Sequence, residues 1–217
     1  MLLFHGTCHP FSAFQATGPG PAASLEGDVG VYSHSRALGT FFSGHPRTAA
    51  HFTLRPEVLD AGFDSDEGSA SLCYDPWQFD PAPFEPSAEL LICQAPEGAR
   101  WHEVPLMRWM EMVAEEGPTF FDRLRADLSA QGFDGVIIPA WDGRSASADY
   151  GQPCVEYFAP TYVLFDASGV SIEHRCPAEE AWNLCPEAVP GEPLPLVRLP
   201  EASASDNPPR PRGPRIR

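Results

Sequence analysis

A chain of 217 residues with 43% hydrophobic and 11% aromatic side chains holds enough apolar surface for one packed domain, which excludes a disordered polymer. Its formal charge is -16, from 30 acidic and 14 basic residues, and every basic residue is Arg, so general binding to nucleic-acid phosphates is disfavoured. With 25 Pro and 18 Gly, the composition excludes a helical bundle and predicts short elements joined by many turns.

Leu2 to His5 reads as a short apolar strand ending in the corner His5-Gly6-Thr7. Residues 18–30, rich in Gly, Pro, Ala and Ser, read as a surface loop. Gly39 to Ser43 reads as a second, aromatic strand. Pro46 to Phe52 fits a short helix, because a proline in the first turn removes only an N–H that has no helical partner. Residues 60–86 carry repeated Asp, Pro and Gly around isolated aromatics and predict a lid or insertion. Glu89 to Gln94 is a strand. Apolar residues at helical spacing predict helices over 106–116 and 120–131, and Gly132 to Pro139 contains a buried β-branched strand. Strands are also expected at Tyr162 to Phe165 and Val170 to Ile172. From about 178 to 217 the chain turns Pro- and Arg-rich, and the expectation is a disordered tail that could dock a partner.

The six cysteines form no CxxC pair, no segment is long and apolar enough to span a bilayer, and no basic-then-apolar leader is visible. These features predict no membrane partner and a cytoplasmic setting with reduced thiols. His5, Cys8 and His9, with His45 or His51, are the residues nearest to a metal set. The spacing H-x2-C-H fits no common zinc framework, so no metal is expected.

The chemistry centres on the corner and the second strand. Gly6 lets another group approach the backbone closely. His5 offers an imidazole hydrogen bond and Thr7 a hydroxyl. Phe41 and Phe52 supply flat apolar surfaces for an aromatic ligand, while Phe42, on the opposite face of its strand from Phe41, is expected in the core. A planar carboxamide attached to a ribose, as in NAD, suits such a set.

Four segments in this order resemble the ADP-ribosyltransferase superfamily, in its poly(ADP-ribose) polymerase-like branch with a His-Tyr-Glu triad, and most of all the small bacterial and phage transferases of polyvalent proteins. They are FHGT at Phe4 to Thr7, GTFFS at Gly39 to Ser43, AAHF at Ala49 to Phe52, and GFDGVII followed by TYVLFD at Thr161 to Asp166. The similarity runs from residue 2 to about 172. It implies an α+β fold: a split, two-sheet, mostly antiparallel core with flanking helices, occupying residues 1–177. It also implies transfer of a single ADP-ribose from NAD to a macromolecular acceptor, with nicotinamide released; the charge of -16 favours a protein acceptor over nucleic acid. By the same resemblance His5 holds a ribose hydroxyl, Gly6 binds the carboxamide, and Phe41 and Phe52 cage nicotinamide. The family's carboxamide-binding Ser falls at Ala49, with Ser43 or Thr48 as substitutes. The triad Tyr falls at Phe41, which lacks the phenol. The triad Glu falls at Thr161, and Glu156, five residues earlier, is the alternative carboxylate. The rival readings are an inactive transferase fold that binds a nucleotide or a protein, an NAD glycohydrolase, and an RNA 2′-phosphotransferase. A toxin, a delivered effector and a phage enzyme all fit the resemblance.

Overall fold

In the computed structural model, residues 1–15, 35–55, 57–58, 77, 80–144, 157–189 and 191–194 are described. Seven strands lie among them: β1 (Leu2–Thr7), β2 (Thr40–Ser43), β3 (Glu89–Gln94), β4 (Trp101–Glu103), β5 (Gly135–Ile138), β6 (Thr161–Leu164) and β7 (Ser171–Pro177). The four α-helices are α1 (Pro46–His51), α2 (Leu106–Glu115), α3 (Pro118–Ala130) and α4 (Ala178–Leu184). The protein is thus a mixed α+β structure.

The strands form one sheet in the order β4-β5-β6-β2-β1-β3-β7, antiparallel throughout except for the β4/β5 pair. Two separate sheets were expected, and the correction is instructive. β1 pairs with β3 along six residues and β2 with β6 along four, yet β1 meets β2 only at Phe4 and Ser43. One register pair joins the halves, so the split survives as a seam inside a continuous sheet.

Alternation of side chains sorts the residues onto two faces. On the helix side, Phe41, Val136, Ile138 and Val163 pack with Trp109 of α2 and Phe121 of α3. Across the seam on that side, Phe4, Leu90 and Ile92 pack with Ala49 and Ala50 of α1 and Trp182 of α4. The second face gathers Leu3, Phe42, Leu91, Cys93 and Leu164, with Phe11 and Phe14 laid against them. No described helix covers that second face.

The domain edge expected at 177 also needs correction. β7 runs directly into α4, and Ala178, Ala181, Trp182, Cys185 and Ala188 are all buried. Burial of the indole alone removes enough apolar area to contribute roughly 4 kcal/mol, which holds this acidic segment to the core. Of the expected insertion at 60–86, residues 60–76 and 78–79 lie outside the described residues, as do the loop at 18–30 and the tail from 195 to 217. The described end of the insertion is anchored through Phe84, which is buried against Trp182 at 5.8 Å between ring centroids.

Candidate functional site

β1 and β2 diverge beyond their single pair, and His5 stands where they part. Its Nδ1 lies 2.8 Å from the carbonyl oxygen of Phe41, so a side chain bridges the seam in place of a backbone ladder. A carbonyl only accepts, and therefore Nδ1 carries the proton and Nε2 keeps its lone pair. Burial pushes the imidazole below its ordinary pKa, and the hydrogen bond to Phe41 opposes this more weakly. Nε2 has no hydrogen-bond partner among the described residues, and the side chain is half-buried, not sealed.

Three aromatic rings surround that imidazole. Phe14 meets it edge-on at 5.3 Å, Phe42 lies tilted at 5.5 Å, and Phe11 meets it edge-on at 6.1 Å. The arrangement is an aromatic enclosure with one accepting nitrogen.

The expected partners of His5 are distributed differently. Phe41 sends its ring to the helix side, 6.1 Å from Trp109, and offers His5 only its carbonyl. Phe52 caps α1 at the surface, 52% exposed, with its edge against His51. The two rings expected to cage nicotinamide therefore do not face His5. Phe42, assigned to the core by alternation, is indeed buried, and it is also the β2 ring that touches the imidazole.

Gly6 lies close under α1: a Cβ there would lie 2.2 Å from the Ala49 carbonyl oxygen and 2.8 Å from Thr53 Cγ2. Thr7 donates to the His9 carbonyl at 3.0 Å and accepts from the His9 N–H at 3.1 Å, which ties its hydroxyl into a local turn. Ser43 is buried and its Oγ accepts the His45 N–H at 3.1 Å. Thr48 is buried within α1.

Thr161 opens β6 opposite Ser43 and Ile138, and by alternation it faces the helix side with Val163. It thus lies across the sheet from the His5 ring. Glu156 lies outside the described residues. Among the described residues no group of three His, Cys, Asp or Glu side chains is placed to hold a metal ion. A cavity of about 640 Å³ lies at the opposite end of β1, lined by Met1, Gln94, Ala95 and Trp101 among others, and contains none of these candidates.

The residues that sequence reasoning missed are Phe11 and Phe14. Their signal was present: two aromatics three apart, just after Pro10 and close to the corner, in a segment too polar to form a core element by itself. Compared with known proteins, the chain matches no family model, no curated protein and no solved structure.

Proposed function

We propose that this protein is an ADP-ribosyltransferase-like enzyme that takes NAD as substrate and passes one ADP-ribose unit to a macromolecular acceptor. The observation that carries the reading is the His5 imidazole at the mouth of the β1/β2 seam, its Nδ1 2.8 Å from the Phe41 carbonyl oxygen and its Nε2 without a hydrogen-bond partner among the described residues. The four ordered segments and the mostly antiparallel sheet support the same fold family.

In such a reaction the bond between the ribose anomeric carbon and nicotinamide breaks, and its electron pair leaves with nicotinamide. The acceptor forms the new bond to that carbon and gives up a proton. Positive charge gathers on the sugar as the bond breaks, and an ordered acceptor at a ribose hydroxyl positions the ring for attack. His5 takes that positioning role. The rings of Phe11, Phe14 and Phe42 supply the apolar wall assigned from sequence to Phe41 and Phe52. Thr161 provides no charge, which leaves Glu156 as the carboxylate of the mechanism. The strongly acidic surface favours a protein acceptor over nucleic acid.

A second reading has its own support. Threonine at the triad-Glu position and phenylalanine at the triad-Tyr position suit a fold that binds a nucleotide without turning it over. Incubation of the purified chain with NAD and a cell lysate separates the two. The enzyme reading expects nicotinamide release and a singly modified protein, both lost in Glu156→Gln. NAD binding with no release from the native chain selects the binding module.

A further inference from the structure

The segment that follows β1 does not leave the sheet. It folds back across the second face, and polar contacts fix it there. Ser87 Oγ donates to the Cys8 carbonyl at 2.7 Å, Thr7 and His9 close a turn at its start, and Arg175 of β7 donates to the Phe11 carbonyl. Register explains why Arg175 reaches so far: His5 pairs with Leu91 and Leu91 with Arg175, so the three lie in one row across β1, β3 and β7 on the same face. The guanidinium is oriented by Glu89 Oε2 at 2.8 Å and lies 6.0 Å over the Phe11 ring. The strap's payload is the pair Phe11 and Phe14, whose rings touch each other at 4.9 Å and both touch His5.

We infer that residues 8–15 are a latched strap that closes over His5, with Arg175 as the latch. Both phenyl rings are only half-buried, so the strap depends on its polar pins more than a core element would. The latch is one charge-assisted hydrogen bond to a carbonyl, strong enough to hold the strap and weak enough to be exchanged. Opening swings the two rings off one side of the imidazole and admits a ligand-sized group to Nε2, and reclosure returns them beside Phe42 as the apolar wall. The strap as a gate deepens the reading of His5 as the ligand-facing residue and rests on it, whereas the latch itself does not depend on NAD.

The test is acylation of His5 by diethyl pyrocarbonate, followed by peptide mass spectrometry, with half-buried His102 of β4, at the far edge of the sheet, as the internal reference. Arg175→Met keeps the aliphatic stem and removes the donors. The expected result is a rate at His5 about tenfold higher than in the native chain, with His102 unchanged. Ser87→Ala removes a second side-chain pin and is expected to raise the His5 rate by about threefold. A His5 rate unchanged in both variants overturns the latch. Equal acceleration at all histidines reports general unfolding and overturns it as well. Because the labelling contains no NAD, failure of NAD to bind would sink the site reading and leave the latch result standing.

Discussion

Acidification from pH 6.5 to pH 4 is expected to remove several kcal/mol of folding stability, through two histidines outside the candidate site. His45 and His51 are 1% and 4% exposed, and neither ring nitrogen of His45 has a hydrogen-bond partner among the described residues. Burial is the main force on both, with the Arg47 charge as a second one on His45, and each imidazole is pushed from 6.5 to about 4. The native state therefore refuses protons that the unfolded chain accepts. Stability from these groups is fully present above pH 6.5, falls as pH drops through the window, and levels off below 4. At 1.36 kcal/mol per pKa unit, each histidine accounts for about 3 kcal/mol. The measurement is urea unfolding at pH 7, 5.5 and 4.5. A single-site variant assigns the slope to its source. His51 stacks on Trp182 at 6.4 Å and 26°, a geometry that a phenyl ring can keep. His51→Phe should flatten the pH dependence by about half, and an unaltered slope would remove His51 as a source.

The second large effect concerns activity. His5→Ala is expected to lower nicotinamide release by about one hundredfold, because a ribose no longer held by Nε2 leaves the reacting carbon misplaced. The substitution also strands the Phe41 carbonyl and leaves a hole among three aromatic rings, so some stability is lost with it. His5→Gln separates these consequences. An amide supplies a donor for the carbonyl and an acceptor for the ligand, and it should recover part of the activity. If His5→Ala releases nicotinamide at the native rate with an unchanged KM, His5 has no part in the reaction.

Local periodicity made much of the fold legible, and the elements missed are those whose patterns are not periodic over enough residues. β1, β2 and β3 announce themselves as apolar runs, and α2 and α3 by apolar residues three and four apart. β4 has three residues, too few for any alternation to show. β7 is an edge strand with most of its residues exposed or half-buried, so it reads as polar loop beyond Ile172. α4 is masked by acidic, Pro-flanked composition, although Trp182 and the two flanking Ala positions were a sign of burial.

At the site, the sequence marked Gly6 as a position of close approach but could not say how near α1 lies to it. It could not give the register between β1 and β2, which sends the Phe41 ring away from His5 and turns Phe42 toward it. The strap was invisible for the same reason: loops carry no period, and only the cross-strand row from His5 to Arg175 shows where its carbonyl is pinned.

The most direct measurement is an NMR titration of the protein, with its histidine rings nitrogen-15 labelled, against NAD. The His5 Nε2 resonance is expected to move to saturation with added NAD, while Nδ1 keeps the signature of a protonated nitrogen bound to a carbonyl. A His5 ring that stays unmoved at saturating NAD, with NAD bound elsewhere or not at all, would contradict the role of His5 in binding NAD.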